Sequence, residues 1–552
     1  MKLNGSEILV NVLMEQGVDT VFGYPGGSVL NIYDALYQYS DKITHYMTAH
    51  EQGAAHAADG YARATGKTGV VIATSGPGAT NLVTGIATAY MDSVPMVAIT
   101  GNVPTPLIGC DSFQEVYITG ITMPITKHNF VVRDVNELAD TVRRAFEIAG
   151  SGRPGPVLID IPKDVTAAMA EYQPCEAVKV GVTDEIKGDV AEVAELINRS
   201  ERPFIYFGGG VRISEAGNEL RALIEKADIP AAHTLMAAGV LGYGEKNNLG
   251  LMGMHGNYSA NCATARADVL IAIGTRFSDR VALNTEKFAE HARIVHIDID
   301  PSEINKNVIS DYSIVGDVKN VLTQMLPLIK KRTHAAWHEH IALWRAQDYK
   351  PSDSEDKIKP HFIVEKACEI AGEDAIYVTD VGQHQMWAAQ YLHHTDAKNF
   401  LTSGGLGTMG YGYGAAIGAS IARPDVPVVH FTGDGSFHMN LNELCTAVSY
   451  NVPVISVIFN NSVLGMVHQW QDAFYGKRFS SSEPNRVTDY KAVAEGFGGK
   501  GFRCETPAEF EAAMKEAMTL KCPVWIECVV DKDEKVLPMI PGGKTVNDTI
   551  FN

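Results

Sequence analysis

The sequence predicts a three-domain α/β protein in which each domain is a parallel sheet flanked by helices. Short apolar, β-branched runs alternate with stretches of helical periodicity along most of the chain. The 552 residues are too many for one hydrophobic core. Two polar stretches without periodicity, 172–184 and 347–360, are interpreted as linkers. We therefore expect domains over 1–171, 185–335 and 361–552.

Composition excludes several classes of protein. Hydrophobic residues make up 45% of the chain and charged residues 20%, as in ordinary globular proteins. The net charge of −19 argues against nucleic acid or an anionic membrane as a partner. No apolar run is long enough to span a bilayer, and the start of the chain does not resemble a secretory leader. The eight cysteines show no metal-ligand spacing, so we expect reduced thiols and a cytoplasmic protein.

The N-terminal domain is predicted from buried strands that end in glycine-rich or polar turns. An amphipathic helix leads into a strand that ends at Gly26 and Gly27, where a ligand can approach the backbone closely. Further strands are expected at 69–74, 96–101 and 155–163. Glu51 follows a strand that starts at Ile43 and opens an alanine-rich helix. By itself, this glutamate is explained as a first-turn carboxylate favoured by the helix dipole.

The central domain is predicted from three strands, 203–207, 269–273 and 294–299, whose ends carry glycine or polar residues. The first strand ends in the triplet Gly208-Gly209-Gly210, which lacks the full GxGxxG fingerprint of a dinucleotide site. The carboxyl ends of parallel strands line a common crevice, so the three turns together predict a ligand site. Ordinary turn chemistry remains the alternative for each turn.

The C-terminal domain carries a strand, a helix and a strand with oxygen ligands at both strand ends. A strand over 426–432 ends in a Gly-Asp-Gly turn that contains Asp434, and a strand over 453–459 ends at Asn461. The helix between them is expected to bury one face, formed by Leu441, Leu444, Cys445 and Val448. A right-handed crossover would place Asp434 and Asn461 at the same sheet edge, where they suit Mg²⁺ and a diphosphate. A helix cap and a turn are the alternatives for the two residues taken singly.

Four groups of motifs stand out along the chain: Gly433-Asp434-Gly435 with Asn460-Asn461, Thr408-Met409-Gly410, Val381-Gly382-Gln383-His384-Gln385-Met386-Trp387, and Gly465-Met466-Val467 with Gln469-Trp470-Gln471. These motifs resemble those of the catalytic subunit of the acetohydroxyacid synthase (acetolactate synthase) family of thiamine diphosphate-dependent enzymes. The resemblance covers nearly the whole chain.

The resemblance implies roles for individual residues. Glu51 would hydrogen-bond the aminopyrimidine ring of thiamine diphosphate and start its proton transfer. Further catalytic or active-site positions would be Gly27, Phe113, Gln114 and Lys163. Thiamine diphosphate would contact Val381, Gly382, Gln383, His384, Met409, Gly433, Gly435 and Ser436, and Mg²⁺ would bind Asp434, Asn461 and the backbone of Val463. FAD would contact Arg153, Gly208, Gly209, Gly210, His255, Gly274, Thr275, Arg276, Asp298 and Asp317. Arg276 would also bind the second 2-oxoacid, and Trp470 would narrow its pocket.

The implied reaction is the first common step of branched-chain amino acid synthesis. Pyruvate would be decarboxylated, and its hydroxyethyl unit would join a second pyruvate, giving 2-acetolactate, or 2-oxobutanoate, giving 2-aceto-2-hydroxybutanoate. The family's active site is shared between subunits, which implies at least a homodimer, and a small regulatory subunit is a further expected partner. The alternatives are an oxidative flavoenzyme such as a pyruvate oxidase, a flavin-free catabolic acetolactate synthase, and a non-catalytic scaffold.

Two positions depart from the family pattern. Tyr117 stands where an acidic residue is usual, which leaves the local contacts of the substrate loop open. Gly414 stands where proline is common, and we expect it to loosen the start of its helix.

Overall fold

The structure is a computed structural model that describes residues 1–181, 184–393 and 396–552. The described residues form three six-stranded sheets and one two-stranded ribbon. The α/β class predicted from the sequence is confirmed, since each large sheet is flanked by helices and its recorded pairings are parallel. The exact domain boundaries stay a prediction.

The N-terminal sheet follows from buried apolar runs such as Pro156–Pro162, in which every residue is buried. Its strands are β1 (Lys2–Asn4), β2 (Thr20–Tyr24), β3 (Thr44–Met47), β4 (Gly69–Ala73), β5 (Met96–Asn102), β6 (His128–Val131), β7 (Pro156–Pro162) and β8 (Met169–Glu171). Its helices are α1 (Gly5–Glu15), α2 (Leu30–Gln38), α3 (Glu51–Thr65), α4 (Pro77–Asn81), α5 (Val83–Asp92), α6 (Ile118–Thr122), α7 (Leu138–Gly150) and α8 (Lys163–Ala167). The large sheet has the order β3-β2-β4-β5-β7-β6, while β1 and β8 pair antiparallel.

The central sheet is built in the same way and has the order β11-β10-β9-β12-β13-β14. Its strands are β9 (Pro203–Phe207), β10 (Ala231–His233), β11 (Asn248–Leu251), β12 (Val269–Ile273), β13 (Arg293–Asp298) and β14 (Tyr312–Val315). Its helices are α9 (Val190–Arg199), α10 (Gly209–Ile213), α11 (Gly217–Ala227), α12 (Tyr258–Arg266), α13 (Val318–Met325) and α14 (Ala335–Arg345). Two apolar clusters cover its two faces.

The C-terminal sheet has the order β16-β15-β17-β18-β20-β19. Its strands are β15 (Ile376–Thr379), β16 (Phe400–Leu401), β17 (Val428–Gly433), β18 (Val454–Asn460), β19 (Lys500–Cys504) and β20 (Val524–Val529). Its helices are α15 (Pro360–Ala371), α16 (Gln383–Tyr391), α17 (Tyr411–Ala422), α18 (Asp434–Phe437), α19 (Leu444–Ser449), α20 (Gly465–Phe474), α21 (Tyr490–Phe497) and α22 (Pro507–Ala517). The single helix expected between β17 and β18 is instead three short pieces, which include a 3₁₀ turn at Leu441–Glu443. The expected apolar position of Cys445 is wrong, because this residue is exposed.

The chain divides into two compact units. One unit contains Met1–Gly181, Ala375–His384 and Leu401–Lys532, so it holds the N-terminal and C-terminal sheets. The other contains the described residues of 182–374, of 385–400 and of Asp533–Asn552, so it holds the central sheet and also α15. In this second unit the Ile540 N–H donates to the Met254 carbonyl oxygen at 2.8 Å. The C-terminal tail therefore packs with the central domain.

Helices α3 and α17 pack against each other through small residues. A Cβ atom on Gly60 would lie 2.0 Å from the Ala415 carbonyl oxygen, and one on Gly414 would lie 2.9 Å from the Gly53 carbonyl oxygen. Gly414, which we expected to loosen its helix, therefore permits a close helix contact. Of the helices described, none is long and apolar enough to cross a membrane.

Candidate functional site

Three loops of the C-terminal domain lie at one edge of its sheet. Strand β15 pairs in parallel with β17, and β17 pairs with β18 so that Gly433 lies opposite Phe459. The residues that follow these strands therefore share the carboxyl edge, as the crossover predicted. Asp434 and Asn461 both come from this edge, and so does the segment that contains Gln383.

Asp434 is a buried carboxylate in a position that suits a cation. It is 3% exposed, and burial raises its pKa to about 6, while the Gly435 N–H acts in the opposite direction. In the described part of the chain, no Lys, Arg or His nitrogen forms an ion pair with it. Burying an unpaired carboxylate is costly unless a cation accompanies it. The donor set at this edge thus fits Mg²⁺, which prefers oxygen ligands.

The side-chain amide of Asn461 is held in one orientation. Its Nδ2 donates to Gln383 Oε1 at 3.1 Å, and its Oδ1 accepts from the Val463 N–H at 3.2 Å. The turn between them includes Ser462 with a φ of 58°. Gly465 fits here because a Cβ atom would lie 2.0 Å from Gln383 Oε1. The amide therefore directs its oxygen to the Val463 side, where the sequence predicts the metal.

His384 has a buried ring nitrogen that lacks a partner among the described residues. Burial lowers the pKa of His384 to about 4, so the ring is neutral at pH 7. Its Nε2 makes no hydrogen bond to any described residue. The ring lies against Gly433, where a Cβ atom would be 2.9 Å from Nδ1, and against Gly382. An orphaned polar atom beside two glycines fits a site for a polar group such as a diphosphate.

Met409 and Ser436 lie near Gly435, at the same edge of the C-terminal sheet as Asp434. Met409 is half-buried, and its Cε would lie 3.9 Å from a Cβ atom on Gly435. Ser436 Oγ accepts from the Gly410 N–H at 3.1 Å, which fixes the residue after Met409. Val381 is half-buried at the end of β15. The structure thus brings the predicted diphosphate and methionine positions together.

Glu51 begins α3, and one of its two carboxylate oxygens accepts a hydrogen bond from the described part of the chain. Asn81 Nδ2 donates to Glu51 Oε2 at 2.9 Å, whereas Oε1 has no hydrogen bond among the described residues. Glu51 is 8% exposed. No hydrogen bond in the described ranges joins Glu51 to Asp434 or Asn461. The shared active site of the family implies that Glu51 and Asp434 meet across a subunit interface, and this stays a prediction.

Glu443 is a residue that the sequence analysis missed. Its carboxylate accepts from the N–H groups of Ala49 and His50, each at 3.0 Å, and from the Thr446 hydroxyl at 2.6 Å. Burial raises the pKa of Glu443, and the neighbouring Glu51 carboxylate adds to the increase. The signal in the sequence is a glutamate nine residues beyond Asp434, but only the fold shows that it reaches the start of α3.

The loop over residues 110–115, which carries the predicted active-site residues Phe113 and Gln114, is largely exposed in the single chain. Phe113 is 87% exposed, so its side chain packs little against the described residues of its own chain. Gln114 has a φ of 58°, and its carbonyl oxygen would lie 2.7 Å from a Cβ atom on Gly76. Glu115 accepts from the backbone of this loop, including the Ser112 N–H at 3.0 Å. The loop is folded on itself and presents its aromatic side chain outward.

The central domain has a tight glycine contact at two of its predicted strand ends. The Gly210 N–H donates to the Gly274 carbonyl oxygen at 3.0 Å, and a Cβ atom on Gly208 would lie 2.4 Å from that oxygen. Gly274 has a φ of 58°, which favours glycine. His255 is buried with Nε2 lacking a partner in the described chain. The glycine turns and the orphaned His255 nitrogen, each taken separately, fit a domain that binds a polar cofactor such as FAD.

Other predicted FAD positions have visible structural roles. Asp317 caps α13 by accepting from the Asn320 N–H at 3.1 Å, and Asp298 accepts from the Asp300 N–H at 3.0 Å. The Thr275 carbonyl oxygen contacts His296 Nε2 at 2.9 Å. Gly209 begins α10. Contact of these residues with FAD stays a prediction.

Two predicted substrate residues, Arg276 and Trp470, have polar groups that lack a protein partner in the described ranges. Arg276 is half-buried and forms no ion pair within the described ranges, so its guanidinium is free for a ligand carboxylate. The Trp470 indole N–H is buried and lacks an acceptor in the part of the chain described. Its ring packs edge to face against the Phe474 ring, with the two ring centroids 5.8 Å apart.

The remaining predicted residues lie in the N-terminal domain. Arg153 Nε donates to Ser93 Oγ at 2.8 Å, which is a structural contact. Lys163 begins α8. Gly27 is exposed in the turn after β2, and a Cβ atom on it would meet nothing within 4 Å. These placements leave their predicted roles untested.

Known protein families match the chain in three consecutive segments. The thiamine pyrophosphate enzyme N-terminal TPP-binding domain matches residues 3–121, the central domain matches 190–325, and the C-terminal TPP-binding domain matches 380–528. A probable acetolactate synthase large subunit of Methanocaldococcus jannaschii is 47% identical, over 99% of this chain and 95% of the relative. An acetolactate synthase of Mycobacterium bovis is 45% identical, over 100% of this chain and 91% of the relative. An acetolactate synthase large subunit of Porphyra purpurea is 45% identical, over 98% of this chain and 94% of the relative.

Proposed function

The chain belongs to the acetolactate synthase large-subunit family of thiamine pyrophosphate enzymes, and on this premise we propose that it joins two 2-oxoacids with loss of CO₂. Pyruvate is the donor, and the acceptor is a second pyruvate, giving 2-acetolactate, or 2-oxobutanoate, giving 2-aceto-2-hydroxybutanoate. The observation that carries the proposal is the sheet edge that combines buried Asp434, the oriented Asn461 amide and the orphaned His384 nitrogen.

Asp434, Asn461 and the Val463 backbone would hold Mg²⁺, and His384 and Gln383 would bind the diphosphate. When bound, thiamine diphosphate supplies a carbon nucleophile and an electron sink for the decarboxylation. Met409 would support the cofactor beside Gly435. The residues fit because they offer oxygen ligands to the cation and nitrogen donors to the anion.

Glu51 would hold and release the proton that activates the cofactor. Asn81 binds Oε2 and so leaves Oε1 as the oxygen available to a ring nitrogen. The low exposure of Glu51 strengthens a hydrogen bond between that oxygen and a bound ring. The backbone contacts of Glu443 would keep the helix start, and with it the carboxylate, in place.

We further propose that the central domain binds FAD and that Arg276 binds the acceptor carboxylate. The glycine turns at Gly208 and Gly274 and the free His255 nitrogen support the flavin site. A guanidinium without a carboxylate partner supports the substrate role of Arg276. The same flavin site keeps a pyruvate oxidase activity as the second candidate, since FAD could take the electrons.

A homodimer is the proposed minimum unit, with a small regulatory subunit as a further partner. The exposed Phe113 and the free Glu51 oxygen support a site completed by a second copy. None of the eight cysteines forms a disulfide within the described residues, which supports a reducing compartment such as the cytoplasm.

The test is incubation of the purified protein with pyruvate, Mg²⁺, thiamine diphosphate and FAD, with each cofactor omitted in turn. Acetolactate that requires all three, without matching oxygen uptake, is the expected result. Acetate with peroxide would favour the oxidase, and acetolactate without FAD would favour the flavin-free enzyme. Flavin absorbance of the purified protein gives a readout that does not depend on turnover.

Glu51→Gln provides the residue-level test of this proposal. We expect the variant to lose most of its turnover while it still binds thiamine diphosphate. Glu147→Gln, an exposed change in the same domain, should behave like the wild type. Normal turnover of Glu51→Gln would refute the proton-transfer role.

A further inference from the structure

A buried charged cluster connects α3 and α5 to the loop over residues 402–410, which carries Met409. Arg63 Nε donates to Asp59 Oδ1 at 2.7 Å, and Arg63 Nη2 donates to Asp92 Oδ2 at 3.0 Å. The three side chains are at most 2% exposed. Arg63 Nη1 also donates to the Thr402 carbonyl oxygen at 2.9 Å, so the cluster reaches the start of the loop.

Asp92 holds the loop directly. Its Oδ2 accepts from the Gly404 N–H at 3.1 Å, and its Oδ1 accepts from the Gly405 N–H at 2.6 Å. Two carboxylates share one guanidinium in this cluster, and the excess negative charge is met by these backbone donors and by the Tyr411 hydroxyl, which donates to Asp59 at 2.7 Å. If the loop moved away, the buried Asp92 carboxylate would lose these backbone donors, which would cost free energy. The cluster therefore stabilises the loop in its present position.

Thr88 holds the other side of the same loop. Its hydroxyl lies 2.8 Å from the Thr408 hydroxyl and donates to the Thr84 carbonyl oxygen at 2.9 Å. Thr88 and Asp92 are four residues apart on α5, so they lie on one helix face. Between their contacts the loop exposes Leu406 and Gly407.

We propose that Thr88 and Asp92 are positioning residues for the thiamine diphosphate site, a role that rests on the proposed function. They act through the loop, because Met409 follows Thr408 directly and cannot move independently of it. The N-terminal domain thereby sets the position of a cofactor-supporting side chain of the C-terminal domain.

The test compares Thr88→Val with Thr122→Val. Both threonines are fully buried, and both donate to a carbonyl oxygen four residues earlier at 2.9 Å. Thr122 makes its second hydrogen bond to Asn129 at 2.8 Å, away from the loop. The measurements are the dissociation constant of thiamine diphosphate with Mg²⁺, followed by tryptophan fluorescence, and the melting temperature of the cofactor-free protein.

We expect Thr88→Val to raise the dissociation constant about tenfold, a factor that corresponds to one lost hydrogen bond. Thr122→Val should stay within about twofold of the wild type, while both variants lower the melting temperature similarly. Thr88→Ser, which keeps the hydroxyl, should restore wild-type binding, and Asp92→Asn should weaken it. Equal dissociation constants for Thr88→Val and Thr122→Val would overturn the proposal.

The wild-type protein separates this proposal from the proposed function. If it binds thiamine diphosphate but forms no acetolactate, the proposed reaction fails, and the comparison of the two valine variants still decides the positioning role. If it does not bind thiamine diphosphate, both proposals fail.

Discussion

Gly418 of α17 lies so close to α3 that a Cβ atom on Gly418 would be 1.9 Å from the Ala57 carbonyl oxygen. The neighbouring atoms are all backbone, so no side chain can turn away to make room. Helix α3 flanks the N-terminal sheet and α17 flanks the C-terminal sheet, and both helices lie in the same compact unit. Their contact therefore ties the N-terminal domain to the C-terminal domain through glycine.

Gly418→Ala should destabilise the protein by about 1–3 kcal/mol, because the helices must move apart to accept the methyl group. Gly496→Ala is the matched control: this residue lies in α21, and a Cβ atom there meets nothing within 4 Å. The control should be neutral or stabilise by up to about 1 kcal/mol. Urea unfolding of the two variants measures the difference, and equal stabilities would contradict the packing described.

Asp160 should make stability depend on pH. Burial raises its pKa to about 6, while hydrogen bonds from Thr100 and Asn102 act in the opposite direction. The folded state then holds a proton that the unfolded state releases between about pH 4 and pH 6, so folding stability falls as pH rises through this window.

Asp160→Asn removes this dependence and keeps the shape of the side chain. The melting temperature of the variant relative to the wild type should be higher at pH 7.5 than at pH 4.5. Asp140→Asn, an exposed change on α7, serves as the control and should give no such trend. A difference that is constant across this pH range would show that Asp160 titrates normally.

The sequence predicted the positions of Asp434 and Asn461 at the C-terminal sheet edge better than the contacts that support this edge. Asp434 and Asn461 could be placed because strand, helix and strand periodicity fixes which loops share an edge. Glu443 could not be assigned, since its partners Ala49 and His50 are some 390 residues away. Cys445 was misplaced because a 3₁₀ turn, absent from the hydrophobic periodicity, rotates the helix that follows it. Long-range contacts and helix phase were thus the parts that local pattern could not supply.

Glu443→Gln should lower kcat about tenfold, because one of the two backbone N–H groups before Glu51 loses its acceptor. The KM for pyruvate should change less than about twofold, since no substrate contact is removed. Steady-state kinetics at saturating cofactors measure both. Glu495→Gln, exposed on α21, is the control, and a wild-type kcat for Glu443→Gln would rule out this support of Glu51.

Phe113→Ala should weaken self-association without affecting the fold of the single chain. The side chain is 87% exposed, so it adds little to the folding stability of the single chain. If a second copy covers it in a dimer, the substitution should weaken the free energy of association by about 1–3 kcal/mol. Sedimentation over a range of concentrations measures the dimer dissociation constant. Val487→Ala removes a side chain that is 98% exposed and is the control. Identical dissociation constants would place Phe113 outside the interface.

The most direct test of the cofactor site is the binding of thiamine diphosphate with and without Mg²⁺ to the wild type and to Asp434→Asn. Asp425→Asn, an exposed change in the same domain, is the control. We predict that Mg²⁺ strengthens binding to the wild type and to the control, and that Asp434→Asn binds at least about a hundredfold more weakly and no longer responds to Mg²⁺. Equal, Mg²⁺-dependent binding by Asp434→Asn would contradict the assignment of this sheet edge as the metal and diphosphate site.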